Sequence, residues 1–149
     1  FAVRPSYTQT VSRPSASKPL QSTAANSSYA AQVVSLVNAE RAGRGLPALT
    51  ISTAVQQAVQ TRAEELQPTL SHTRRSGASC FTAQTEAGVS YARAGENIAY
   101  GQSSPAAVVQ AWMNSSGHRA NILSSSFTTI GIGCTVVNGT AYWAQLFTA

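Results

Sequence analysis

Aspartate is absent from this chain, and charge of either sign is scarce. Charged residues make up 10 % of its 149 residues, well under the roughly 25 % of an average soluble protein. All five acids are glutamate, while Ser, Thr, Gln and Asn carry much of the polarity, a bias common in secreted proteins. No apolar run reaches the roughly 18 residues of a membrane-spanning helix, so no transmembrane segment is expected. Basic residues exceed acids by ten to five, for a formal net charge of +5. Three of them, Arg4, Arg13 and Lys18, precede residue 29, which leaves the rest of the chain at +2. Apart from Arg74-Arg75 there is no basic cluster, and a nucleic-acid groove needs clustered cations with aromatic platforms. No nucleic-acid partner is therefore expected. The two cysteines, Cys80 and Cys134, are too few for a Cys-rich zinc site. One disulfide between them is expected, worth roughly 3–5 kcal/mol by loop closure; the alternative is two buried free thiols.

With so few ionisable groups, those that remain stand out. The two histidines, His72 and His118, each sit in a polar motif, Ser71-His72-Thr73-Arg74 and Ser115-Ser116-Gly117-His118-Arg119. Between them lies Ala94-Gly95-Glu96-Asn97-Ile98-Ala99-Tyr100, a carboxylate and an amide side by side.

Residues 1–28 are rich in Ser, Thr, Pro, Ala and Gln, and read as a flexible N-terminal arm or linker. The folded domain is expected over 29–149, long enough for one real core. Ala30, Val33, Val34 and Val37 recur at helical spacing, predicting a helix over about 28–42 that Gly43, Gly45 and Pro47 end. Val55, Ala58, Val59, Arg62 and Leu66 share one face of a second helix over about 53–66, with Thr53 and Gln56 as a capping box. A loop carrying His72 and a short helix over about 80–87 follow. Ser104-Pro105 then opens a helix with a buried face of Val108, Val109, Trp112 and Met113, and residues 118–123 add another turn or two. Residues 129–137 and 140–147 are β-rich and flank Asn138-Gly139, a type I′ turn signal. Helices first and strands last give an α+β class. Asn26, Asn114 and Asn138 stand in glycosylation sequons.

Six motifs in this order resemble the CAP superfamily, which groups cysteine-rich secretory proteins, antigen 5 and plant pathogenesis-related protein 1. They are Asn38-Ala39-Glu40-Arg41 with Leu46-Pro47-Ala48-Leu49, then Ser71-His72, Gly95-Glu96-Asn97-Ile98-Ala99, Trp112-Met113-Asn114-Ser115-Ser116-Gly117-His118-Arg119, Ile130-Gly131-Ile132-Gly133, and Tyr142-Trp143-Ala144-Gln145-Leu146-Phe147. The compact Ser-Ser-Gly-His-Arg after the tryptophan helix is similar to the bacterial branch. The resemblance implies a three-layer α-β-α sandwich around a central antiparallel sheet, and a cleft lined by two His and two Glu where divalent metal, often zinc, binds. It assigns His72 and His118 as metal ligands and Glu96 to the cleft with Asn97, Ser115 and Arg119. Where longer members place the second glutamate, this chain has Ser115.

Two imidazoles and a carboxylate can hold Zn²⁺ with an open position for water, although the chain has no His-Glu-x-x-His helix. From the residues alone, the alternative is that His72 and His118 cap loops and Glu96 accepts backbone N–H groups. Asn97 is expected to bond turn backbone, Arg119 to sit on the cleft rim, and Arg74-Arg75 to be a solvated loop. The leading functional reading is a secreted or surface-tethered, monomeric, non-catalytic module. The ligand that the resemblance implies is a lipid or sterol, a glycan or a host protein. The rival is a zinc-dependent hydrolase or protease with Glu96 as general base.

Overall fold

The structure, a computed structural model, describes residues 23–67 and 69–149, with side chains from Ser28 onward. The expected arm lies outside the described residues except for Thr23–Ser28, which belong to the first helix. That helix, α1 (Thr23–Ala42), starts five residues before the expected boundary at about 28 and buries Ala30, Val33, Val34 and Val37. Gly45, at φ 73°, turns the chain out of it. The Asn38-Ala39-Glu40-Arg41 motif then fixes the exit. Asn38 exchanges two hydrogen bonds with the Leu49 backbone, at 3.1 and 2.8 Å. Buried Arg41 donates to the carbonyls of Pro47, Ile122 and Ser124, each at 2.8 Å.

Strand β1 (Thr50–Ile51) runs straight into α2 (Thr53–Glu65). The cap of α2 is Ser52, whose hydroxyl accepts from Val55 N, not the expected Thr53-Gln56 box. After α3 (Thr82–Glu86) come β2 (Ala94–Tyr100), α4 (Pro105–Met113) and α5 (Ser116–Ile122). In α4, Ser104 caps Ala107 N at 3.1 Å and Pro105 fills the first turn, as its sequence predicts. The hairpin pairs β3 (Thr129–Val137) with β4 (Thr140–Thr148) across Asn138 and Gly139, at φ 51° and 80°.

The sheet order is β1-β3-β4-β2. Its two long pairings are antiparallel, but β1 is parallel to β3, so the sheet is mixed rather than wholly antiparallel. Alternation along the strands divides the core between its two faces. One face carries Ala99, Ile130, Ile132, Cys134, Trp143 and Phe147 against α1, α4 and α5. The other carries Ile98, Ala144 and Leu146 against α2 and α3. This is the expected three-layer arrangement.

Helix α2 approaches β3 closely because Gly131 and Gly133 face it: a Cβ at Gly133 would lie 2.5 Å from the Val59 carbonyl oxygen. Beyond the reach of β1, two glutamines of α2 take over the outer edge of β3. Gln56 bonds both the N–H and the carbonyl of Ile132. Gln60 does the same for Cys134, at 3.3 and 3.1 Å. Four helical residues advance about 6 Å and two strand residues about 6.6 Å, so the two rows stay in step. The opposite edge is treated similarly: on β2, the Glu96 and Ile98 carbonyls accept from Asn121 Nδ2 at 3.4 Å and Trp112 Nε1 at 3.2 Å.

The expected Cys80–Cys134 disulfide does not form. Both thiols are free and buried. Cys134 lies on β3 among the α1/α4/α5 layer, whereas Cys80 packs with Phe81 and Ala94. The two belong to separate clusters, and burial pushes both thiols up.

Candidate functional site

Glu96 and Asn97 are adjacent on β2, so their side chains enter opposite layers. Glu96 shares its face with Ile98 and Leu146 and lies under the C-terminal end of α2; it is completely buried. Helical spacing from Val55 and Val59 brings Arg62, also completely buried, over it. Arg62 Nε donates to Glu96 Oε2 at 2.6 Å and Nη2 to Oε1 at 3.1 Å, a forked pair. The same Nη2 donates to the Ser71 carbonyl at 2.6 Å, and Nη1 to Glu65 at 3.1 Å. This arginine therefore holds both the carboxylate and the backbone just before His72. Burial by itself would lower the Arg62 pKa, but its bonds to Glu96 and Glu65 together outweigh it and the pKa is raised.

His72 completes the cluster with Nδ1 at 2.8 Å from Glu96 Oε1. Its loop is anchored by Cys80 N donating to the His72 carbonyl at 3.0 Å and by a bridge between Thr73 and Ser79. This anchoring brings Cys80 to the site as well. Burial first, and then the Glu96 charge, push its thiol up. Potential ligand atoms of His72, Cys80 and Glu96 lie within 4.8 Å of one another. An imidazole, a thiol and a carboxylate form a donor set suited to zinc, so this group could bind a metal ion.

A ladder of charges continues outward. Glu65, beside Arg62, accepts from Arg74 at 2.8–3.1 Å, and Arg74 also reaches Glu86 at 2.8 Å and Thr82 at 3.0 Å. Burial would raise the Glu65 carboxyl, but the two arginines hold it below the ordinary range. Arg74 is thus buried and paired rather than solvated. Its neighbour Arg75 is exposed and donates to backbone carbonyls of Glu64 and Gln67. A hollow of about 400 Å³ opens here, lined by Glu65, Thr69, Ser71, Thr73, Arg74 and Arg75.

His118 belongs to the other layer. Asn97 Nδ2 donates to the His118 carbonyl at 3.1 Å and to Gln145 Oε1 at 2.9 Å, and its Oδ1 accepts from Asn121 at 3.0 Å. The amide thus ties β2 to α5 and β4 through one helix carbonyl and two side-chain amides, not through the turn backbone expected of it. Ser115 Oγ lies 2.7 Å from His118 Nδ1, so the serine at the second-glutamate position partners the imidazole. His118 Nε2 is buried without a hydrogen-bond partner among the described residues. Burial, followed by the His72 charge, lowers the His118 pKa from 6.5 to about 4. The two histidines are therefore close enough to interact electrostatically, but the three-residue donor group contains Cys80, not His118. Arg119 is exposed on α5.

Arg62 is the main residue that sequence reasoning missed. Its signal was present, since a charged residue stood on the apolar face of α2. Gln145 and Asn121 gave no such signal, because a lone amide on a strand or helix reads equally well as surface.

Comparison with known proteins agrees with this architecture. Residues 34–147 match the family model described as CAP, cysteine-rich secretory protein family. The Bacillus subtilis protein YkwD, itself uncharacterized, is 41 % identical over 123 residues, covering 81 % of this chain and 47 % of YkwD. Among solved structures, an extracellular SCP-domain protein of Bacillus anthracis is 26 % identical with a TM-score of 0.78, covering 89 % of this chain and 45 % of that one. An outer surface protein of Borrelia burgdorferi has the same fold, with a TM-score of 0.72 at 22 % identity, covering 78 % of this chain and 88 % of that one. The chain thus spans under half the length of these two Bacillus proteins. With a family model matching most of its length, and with the motif residues in the structural places described above, the chain belongs to the CAP family.

Proposed function

We propose that this domain is a non-catalytic extracellular binding module whose ligand or partner engages the cleft beside Glu96. The observation that carries this reading is the state of Glu96. A general base needs a lone pair directed at a water or substrate proton. Here both carboxylate oxygens are taken by Arg62, one also by His72, and the residue is completely buried. Ser115 and His118 form a hydrogen-bonded pair, but a serine nucleophile also needs an acid that orients its base. No such acid bonds His118 Nε2 among the described residues. An extracellular location is supported by the description of the Bacillus anthracis relative and fits the composition.

Should a divalent ion enter, His72, Cys80 and Glu96 are the residues to hold it, with His118 as the nearby second imidazole. The ion would supply fixed positive charge to a ligand carrying oxygen donors. Cys80 must first lose a proton that burial favours, so binding should be weak and reversible. The polar hollow at Ser71 and Arg75 suits a glycan or a protein loop.

Zinc calorimetry on wild type, His72→Ala, Cys80→Ser and His118→Ala, together with casein and ester turnover assays, tests this reading. Wild type should bind zinc weakly, His72→Ala should lose binding, and none of the proteins should turn over substrate. Turnover that disappears in Glu96→Gln would establish the hydrolase instead.

A further inference from the structure

Arg62 stands where a cation is needed. The Glu96 carboxylate is completely buried, and an unpaired buried charge costs several kcal/mol. The guanidinium reaches both of its oxygens, the carbonyl that precedes His72, and Glu65. A divalent ion at this site would do the same things, neutralising Glu96 and drawing in the His72 loop. Glu65 is in turn balanced by Arg74. Arg62 with Glu96 and Arg74 with Glu65 therefore leave the buried site neutral with no ion present.

We propose that Arg62 is a resident cation that replaces the metal's structural role, so that the site assembles without an ion and binds one only in competition with the guanidinium. The inference rests on the reading that His72, Cys80 and Glu96 can hold a divalent ion. Its physical basis is that an entering ion must share Glu96 with a positive charge already at contact distance. At contact distance and in a partly desolvated site, two like charges repel strongly. A purely structural salt bridge would stabilise the fold just as well, but removing it would not change metal affinity.

The test uses zinc calorimetry and thermal melts, with and without EDTA, on wild type, Arg62→Gln and Arg62→Gln/Glu96→Gln. The wild-type Tm should not respond to EDTA. Arg62→Gln should melt about 5–15 °C lower in EDTA, since it strands a buried carboxylate. It should also bind zinc at least about tenfold tighter, a modest fraction of the repulsion removed, and zinc should restore most of its Tm. The double variant should regain Tm in EDTA and lose the zinc response. Equal zinc affinity in wild type and Arg62→Gln overturns this inference and leaves the metal reading standing. No zinc binding by either, up to millimolar concentration, overturns both. If Arg62→Gln does not fold in EDTA, Arg62→Lys decides: it keeps the charge and loses the fork, so its zinc affinity should stay at the wild-type level, and a rise would overturn the proposal.

Discussion

A histidine that stays neutral at ordinary pH gives this fold an acid-sensitive point. His118 is completely buried, and its folded-state pKa of about 4 lies below the ordinary 6.5. Between those values the unfolded chain binds a proton that the folded chain does not, so stability falls as pH drops from 6.5 towards 4. The gap corresponds to at most about 3 kcal/mol. Melting wild type and His118→Gln across this range should show a steeper loss in wild type; parallel curves would show that another group is responsible. Glu65, whose carboxyl is held low, adds a further loss only below about 4.5. At this scale the sequence was legible for side chains whose type is rare in the chain. His72, Glu96 and His118 stood out because few other residues of the chain carry such groups. Cys80 and Cys134 were misread because pairing depends on which cluster each thiol joins, and that follows from strand alternation and the course of the His72 loop. Arg74 was misread because its partners Glu65 and Glu86 come from the helices on either side of its loop.

Elements were legible where local chemistry alone decides them. Asn138 and Gly139 adopt the positive φ that the hairpin needs, and Ser104 and Pro105 open α4 as their types dictate. Strand β1 was not legible, since a two-residue strand exists only through its partner β3. The role of Gln56 and Gln60 was hidden too, because glutamine on a helix looks like solvent-facing surface until a strand edge lies beside it. The glycines of β3 mark the contact from the other side. In Gly133→Ala the new methyl would meet backbone atoms of Val59 and Gln60 at 2.5–3.0 Å, and backbone cannot swing aside. The variant should lose about 2–3 kcal/mol. Gly43→Ala, whose Cβ would meet nothing nearer than 3.6 Å, should stay within about 0.5 kcal/mol. Urea denaturation of the two variants makes the comparison, and equal midpoints would mean that α2 can ride up off the sheet at little cost.

The molecule as a whole is one sheet between two helical layers, with a separate apolar cluster on each face. The α2/α3 layer carries Arg62 and covers the Glu96 face of the sheet, so its attachment governs both the site and the outer edge of the sheet. The class and order of elements could be read because the helical and strand periods occupy separate stretches of the chain. Which residues met across layers could not, because that is set by register. The glutamine seal on β3 has a kinetic consequence for exchange with solvent deuterium. Alternation turns the amides of Gly131 and Gly133 toward β4, so they open only when strands part. The amides of Ile132 and Cys134 are held by Gln56 and Gln60 instead, so they should open whenever α2 lifts. In a native-state exchange experiment resolved by residue, Ile132 and Cys134 should exchange together with the amides of α2, ahead of their glycine neighbours. A single rate for all four would mean that helix and sheet come apart in one step. Alternating fast and slow amides along one strand would show that strand-edge protection can be lent by a helix and withdrawn without disturbing the hairpin.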